Sequence, residues 1–507
     1  MKRTFAAVAV AGIAAGCLVM PSAAAAPATG FTPAPIHWGD CTTSKLEAAG
    51  AQCGFLAVPL DYADPGGAKI SLAVSRVEHK TARSQGVMLV NPGGPGASGL
   101  GLSVLGRSVP DHAGDAYDWI GFDPRGVGSS RPALSCDPNH FRYDRPPYVP
   151  ATPRLEQSWL DLSKSYAAAC AKNGALLQHL KTTDVAQDME SLRKALGEEQ
   201  INYYGFSYGT YLGQVYATLY PQRVRRMVLD SSVDPRDVWY RANLNQDVAF
   251  NRNIKIYFAW LARYDSVYHL GATEDAVERL WYGQLAALTT DPAGGLIGGD
   301  EWTDVFLQAG YYRSGWVKLA DAFADWVHEG KWQDLKSLYD ATGKGGDNGF
   351  AAYLGVQCTD VQWPVNWDRW RLDNWSAYLR APFETWGNAW FNAPCLFWPA
   401  EAGTPVTVDG SKVAGALLID ETLDAATPYA GSLEVRRLFP HASLIAEPGG
   451  TTHADSLSGD ACVDDQVADY LAKGELPARK PGDHADTTCA PLPDPVPAGA
   501  SAAKASG

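Results

Sequence analysis

From about residue 55 to residue 235, short apolar runs alternate with amphipathic stretches, the rhythm of strands and helices wound into a mostly parallel sheet. Four strands are predicted here, each ending in a loop of distinct chemistry. Val87 to Val90 runs into a glycine-rich loop, Trp119 to Phe122 into Asp123-Pro124-Arg125-Gly126, Ile201 to Tyr204 into a second glycine loop, and Val224 to Leu229 into Asp230-Ser231-Ser232. Asp184 to Leu196 places Val185, Met189, Leu192 and Leu196 on one helical face, with Thr183 or Asp184 positioned to cap it.

At about residue 240 the pattern turns helical and aromatic, and 14 of the 17 tryptophans fall between Trp239 and Trp398. The sheet rhythm resumes at Ala416 to Ile419 and Ser443 to Ala446, with a helix-like stretch from Pro428 to Leu438 between them. The aromatic block therefore reads as an insertion. The predicted organisation is a leader over 1–25, an α/β domain over 38–239 and 406–489, a helical insertion over 240–405, and a flexible Pro/Ala/Ser/Gly tail over 490–507. Most of the tryptophans are expected to form the insertion's own core, with about three left to line apolar subsites.

Composition adds a compartment and removes some partners. The chain has 507 residues, 46% of them hydrophobic, with a formal charge of −14, which excludes a disordered chain. No Lys/Arg block exists beyond Lys2 and Arg3, so neither nucleic acid nor an anionic membrane is an expected partner. Those two cations precede an apolar run from Phe5 to Met20 and a small-residue stretch at Ala23 to Ala26. This is the order of a secretory signal, with cleavage expected near Ala25. An alternative is a lipoprotein anchored to the cell surface through Cys17, in Ala14-Ala15-Gly16-Cys17.

Eight cysteines follow Cys17, an even set in a chain predicted to be exported. They fall into sequence-local couples, which predicts Cys41–Cys53, Cys136–Cys170, Cys358–Cys395 and Cys462–Cys489. Metal ligation is the alternative reading, but no Cys-x-x-Cys or His-x-x-x-His spacing supports it, and no metal is expected.

Gly205-Phe206-Ser207-Tyr208-Gly209 follows a predicted strand and precedes a helix-like stretch from Thr210 to Tyr220. By chance alone such a Gly-x-Ser-x-Gly match is worth roughly 0.3 in this chain, so its context carries the weight. A sharp strand-to-helix turn lifts a nucleophile above the sheet and sets it over a helix N-terminus that favours developing negative charge. Asn91-Pro92-Gly93-Gly94-Pro95-Gly96 is placed to supply a second oxyanion donor. The expected pair of amides is that of Gly94, or Gly93 if the loop is turned differently, with that of Tyr208. Gly94-x-Gly96-x-x-Gly99 also fits a dinucleotide fingerprint formally, but Pro95 stiffens it and no ribose-binding acid is placed. No cofactor is expected.

A serine needs a base, and the base an orienting acid. Asp424, in Asp424-Ala425-Ala426-Thr427-Pro428, follows the Ala416 to Ile419 strand, with Asp420 and Glu421 as competing carboxylates. His453 follows the Ser443 to Ala446 strand in Gly449-Gly450-Thr451-Thr452-His453. Of the other late histidines, His441 immediately precedes a strand and His484 sits near the tail.

Together with Asp123-Pro124-Arg125-Gly126-Val127-Gly128, these motifs resemble those of the secreted tripeptidyl aminopeptidases of actinobacteria. These are α/β-hydrolases related to prolyl iminopeptidases, and the similarity runs from about Trp38 to Cys489. The resemblance implies an α/β-hydrolase fold with a largely helical cap, Ser207 as nucleophile with Asp424 and His453 as partners, and release of tripeptides from free N-termini. It also places Cys358-Thr359-Asp360 and Cys395 in the cap. Two features depart from the pattern: the stretch before Cys41 is too short for a long propeptide, and Gln357 stands where an acid is the more familiar residue. An exopeptidase must hold the substrate's ammonium with a carboxylate, for which Asp360 and Glu384 are the candidates. Competing readings are a secreted esterase or lipase using the same triad, and a binding protein on a hydrolase scaffold.

Overall fold

The computed structural model describes residues 30–143 and 145–500. The expected leader, its cleavage point and Cys17 lie outside these residues.

Among the described residues, ten strands form one mixed sheet: β1 (Gly39–Asp40), β2 (Gln52–Pro59), β3 (Lys69–Val77), β4 (Val87–Asn91), β5 (Asp118–Phe122), β6 (Ile201–Phe206), β7 (Val224–Asp230), β8 (Ala416–Glu421), β9 (Ala442–Glu447) and β10 (Thr487–Thr488). Their order is β1-β2-β3-β5-β4-β6-β7-β8-β9-β10. β1 to β3 join the rest antiparallel, and from β5 onward neighbours are parallel. The central strands are near-continuous apolar runs because both of their faces are covered. Leu89, Tyr203, Leu418 and Leu444 pack on one face, and Met88, Val90, Tyr204, Leu417, Ile419 and Ile445 on the other, following the two-residue period of a strand.

The helix Thr182–Ala195 buries Val185, Met189 and Leu192 as its spacing predicts. Its first turn differs from expectation. Lys181 is the N-cap, and Asp184 sits at the third helical position, where its carboxylate accepts the Lys181 N–H at 3.1 Å. Thr182 starts the helix, with its own side chain committed elsewhere.

Between β7 and β8 the chain makes a large helical cap, including the helices Tyr240–Arg263, Glu274–Thr290, Gly299–Tyr311, Trp316–Glu329, Asp347–Asp360, Trp367–Tyr378 and Thr385–Asn392. Trp260, Trp281, Trp302 and Trp316 form a core there with Phe306 and Phe323. A second aromatic cluster joins Trp386 and Trp390 to Trp159, which belongs to the β5–β6 connection; Trp159 and Trp390 stack at 5.6 Å. Arg145 of the same connection enters the cap and pairs with Glu301 and Asp304. The helix Asp347–Asp360 turns the other way, burying Phe350, Leu354 and Val356 in the main core beside the sheet. Cap and sheet domain therefore share packed layers.

Among the described residues four disulfides are present, Cys41–Cys53, Cys136–Cys170, Cys358–Cys395 and Cys462–Cys489. The segment after Cys489, expected as a loose tail, is tied to the cap as far as Pro495: Trp260 Nε1 donates to Pro495 O at 3.0 Å, and Asp494 pairs with Arg263 and Arg313. No helix among the described residues is long and apolar enough to cross a membrane.

Candidate active site

Ser207 stands between β6 and the helix Tyr208–Leu219 at φ 55° and ψ −127°, a positive-φ conformation that a non-glycine residue keeps only when its surroundings enforce it. Those surroundings are specific. The Ser207 N–H donates to Asp230 O at 3.1 Å, and Ser207 O accepts from the Thr210 amide at 2.8 Å and from Thr210 Oγ1 at 2.6 Å. Both flanking glycines sit where a side chain has no room. A Cβ on Gly205 would stand 2.6 Å from Gly209 O, and one on Gly209 would stand 2.5 Å from Asn91 O. The Gly-x-Ser-x-Gly spacing thus follows from close backbone crossings at the C-terminal ends of β4 and β6.

The loop after β4 lies against this turn. A Cβ on Gly93 would meet Phe206 O at 2.6 Å and Tyr208 N at 2.9 Å. The Gly93 amide is spent on Asn91 Oδ1 at 2.9 Å. The amides of Gly94 and Tyr208, by contrast, have no acceptor among the described residues, and both residues line a cavity that Ser207 also lines. Of the two glycine amides, that of Gly93 is engaged and that of Gly94 is not.

Asp424 and His453 meet at the ends of β8 and β9. Asp424 Oδ1 accepts the amides of Ala426 at 2.8 Å and Thr427 at 3.1 Å, and Oδ2 accepts Thr427 Oγ1 at 3.0 Å and faces His453 Nδ1 at 2.7 Å. The competing carboxylates are used elsewhere: Asp420 accepts from Ser432 Oγ at 2.5 Å, and Glu421 accepts the Thr452 amide. The His453 amide donates to Tyr311 O of the cap at 2.9 Å, and the next amide, of Ala454, donates to Ser231 Oγ at 2.8 Å. Burial opposes charging of the ring, but the charge and hydrogen bond of Asp424, with Asp230 behind it, hold its pKa above the ordinary 6.5. Ser207 Oγ and His453 Nε2 have no hydrogen-bond partner among the described residues. Thr427, bonded to Asp424, lines the same cavity as Ser207.

That cavity measures about 1140 Å³ and runs under the cap. Of the 14 tryptophans in the aromatic block only Trp239 lines it; the others are occupied in packing, which corrects the expectation of about three. Glu384 lines it as well, 7% exposed, its carboxyl without a hydrogen-bond partner among the described residues. Burial, with the nearby charges of Asp247 and Asp304, holds its carboxyl well above the usual range. Asp360 is placed differently. Its oxygens accept the Thr182 amide at 2.6 Å, Thr182 Oγ1 at 2.6 Å and Trp239 Nε1 at 3.1 Å, and it does not line the cavity. Thr182 in turn bonds the Tyr208 hydroxyl at 2.9 Å, so Asp360 braces the floor of the site and is unavailable to a ligand.

Sequence reasoning missed the polar wall around Glu384. Asn388 donates to Asp247 at 2.8 Å, Tyr353 donates to Asn392 at 3.0 Å, and Asn243 reaches Gln357 at 3.4 Å. Burial pushes Asp247 up to about 7. Of these residues only Gln357 carries a sequence signal, as the position beside Cys358 where an acid is more familiar; no motif marks the others. Among the described residues, no cluster of three or more His, Cys, Asp or Glu side chains is arranged to hold a metal.

Comparison with known proteins gives the family of the chain. Residues 86–272 match the alpha/beta hydrolase fold model and residues 381–489 the model described as TAP-like protein. The chain is 41% identical to a tripeptidyl aminopeptidase of Streptomyces lividans, over 92% of this chain and 88% of that protein. It is 30% identical to serine protease Hip1 of Mycobacterium tuberculosis, over 92% and 95% respectively, and 32% identical to carboxylesterase B of the same organism, over 89% and 91%. With Ser207, Asp424 and His453 at the C-terminal ends of the parallel strands β6, β8 and β9, and with relatives matched over nearly its whole length, the chain belongs to the tripeptidyl aminopeptidase family of α/β-hydrolases.

Proposed function

We propose that this chain is an exported serine exopeptidase that releases tripeptides from free N-termini through an acyl-enzyme. The observation that carries the substrate class is Glu384: a buried carboxylate facing the Ser207 cavity with no cation of the protein paired to it. Arg145 is committed to Glu301 and Asp304, and Arg236, Arg252 and Arg380, which line the cavity, form no ion pair with Glu384, so an arriving ammonium would supply the charge that favours ionisation of a carboxyl that burial holds back.

In this reading His453 Nε2 takes the Ser207 proton as Oγ attacks the scissile carbonyl, and Asp424 balances the imidazolium. The oxyanion is met by the amides of Gly94 and Tyr208, each worth about 2.7 to 4 kcal/mol to the transition state. His453 then gives its proton to the departing amine, and water, deprotonated by the same ring, clears the ester. The peptide that departs begins with a new free amine and is itself a substrate.

Export is supported by the leader-like residues 1–25 and the four disulfides. N-terminal sequencing of the mature protein is expected to begin after about Ala25. A lipidated Cys17 at the new terminus would instead identify a surface lipoprotein.

A second reading, ester hydrolysis, is favoured by the resemblance to carboxylesterase B. Parallel assays on a free-amine tripeptide anilide, its N-acetylated twin and a short-chain nitrophenyl ester separate the two. The free amine is expected to win by kcat/KM; preference for the blocked peptide or the ester overturns the peptide reading. A binding protein would leave Ser207 unlabelled by a fluorophosphonate.

A further inference from the structure

The loop that carries His453 has little stiffness of its own. Gly449 adopts φ 81° and Gly450 follows it, so the direction of the ring depends on what grips the loop from outside. The sheet domain grips two of its amides, Glu421 accepting from Thr452 and Ser231 from Ala454, while the His453 amide between them goes to Tyr311 O of the cap. The other side is gripped from the cap. Arg313 Nε donates to Thr451 Oγ1 at 2.9 Å, two residues before His453, and its Nη2 donates to Gly449 O at 2.6 Å.

The third guanidinium nitrogen goes to the chain's C-terminal segment. Arg313 Nη1 donates to Asp494 Oδ1 at 3.1 Å and faces Leu492 O at 3.5 Å. The other Asp494 oxygen pairs with Arg263, and Pro495 O accepts from Trp260; both of these partners lie on the helix Tyr240–Arg263. The segment starts at the Cys462–Cys489 disulfide beside β10, so it spans from the sheet edge to the cap. The Arg313 side chain is 12% exposed, and a planar fork so engaged cannot turn without breaking bonds on both sides.

We propose that Arg313 is a positioning residue for His453 and that residues 490–495 are a strap that aims it. The inference rests on the triad reading given above. Asp494 fixes the plane of the guanidinium, the guanidinium fixes Thr451 and Gly449, and these set the ring relative to Ser207. With the strap absent, the fork swings toward Glu421 and Asp455, whose carboxyls already feel its charge.

The test uses the full chain with Arg313→Gln, Asp494→Asn, the double variant and Arg313→Lys. Three quantities are read: the rate of fluorophosphonate labelling at Ser207, kcat and KM for a tripeptide anilide, and the melting temperature, with all assays well below it. Arg313→Gln is expected to slow labelling and kcat by about 30- to 100-fold while KM moves less than about threefold. Asp494→Asn is expected to slow both by about fivefold, and to add nothing in the Arg313→Gln background, because it acts through that side chain. Arg313→Lys, which keeps the charge and loses the fork, recovers little. Wild-type rates for Asp494→Asn, losses that multiply in the double variant, or an effect confined to KM each overturn the strap. A wild-type protein that fails to label refutes the triad reading instead.

Discussion

His453 Nδ1 lies 2.7 Å from Asp424 Oδ2, and both side chains are closed off from solvent. The ring donates through Nδ1, which leaves the Nε2 lone pair for a proton acceptor's role. The carboxylate has little freedom to turn, since the Ala426 and Thr427 amides and the Thr427 hydroxyl occupy its remaining positions.

Asp424→Asn keeps the shape and reverses the donor, so the ring adopts the wrong tautomer. A fall in kcat of about 10⁴ is expected. Ser207→Ala is expected to cost about 10⁶ and to abolish fluorophosphonate labelling, with an unchanged melting temperature. Retained turnover in Ser207→Ala would remove Ser207 from the mechanism.

The pH dependence follows from the sign of the His453 shift. The ring works neutral, and its pKa is raised above 6.5, so kcat is full above that raised value and falls as pH drops through it. The acid limb of kcat is therefore expected to have a midpoint above 6.5, and to shift to lower pH in Asp424→Asn, where only the charge of Asp230 is left to oppose burial. Stability runs the other way. The protonated ring gains from Asp424, so that contribution is complete below the unfolded value and lost as pH rises through the folded one. Titration of kcat in both proteins checks the first statement, and thermal melts across the same range check the second.

Glu384→Gln is expected to raise KM for a free-amine substrate by at least about 30-fold while leaving the N-acetylated twin unchanged. Asp360→Asn, on the bracing side of Thr182, is expected to leave the ratio between the two substrates as it is. If Asp360→Asn changes that ratio and Glu384→Gln does not, the ammonium site has been placed on the wrong residue.

Gly209→Ala places a methyl 2.5 Å from Asn91 O, a backbone atom that cannot swing aside. A loss of about 1 to 3 kcal/mol in unfolding free energy is expected. Denaturant titration measures it, and wild-type stability would mean that the β4 and β6 loops are less closely set.

The sheet and the chemical loops were legible because each central strand is a continuous apolar run that ends on a motif. Ser207, Asp424 and His453 follow the ends of β6, β8 and β9, where loops after apolar runs drew attention to them, with Asp420, Glu421, His441 and His484 as competitors. What escaped is long-range. Asp360 reads as a carboxylate beside a cap cysteine, yet its partners Thr182 and Trp239 are 178 and 121 positions away. Arg313 belongs to no motif and acts across 138 positions on Thr451. The last segment has the composition of disorder, and its attachment rests on Asp494 and Pro495, too few residues to change that composition. Arg145, in the β5–β6 connection, was invisible as a cap residue because its acidic partners come more than 150 positions later.

The roof over Ser207 is fastened to the floor beneath it: Asp360 to Thr182, Arg313 to the histidine loop, and Gln246, Arg252 and Asn253 to carbonyls of the acid loop. A vault stitched down at so many points admits one thread at a time. Lifting it means breaking several of these hydrogen bonds at once, so chain ends already unstructured are expected to be trimmed faster than ends held in a folded neighbour. Digestion of one protein before and after it is unfolded compares the two.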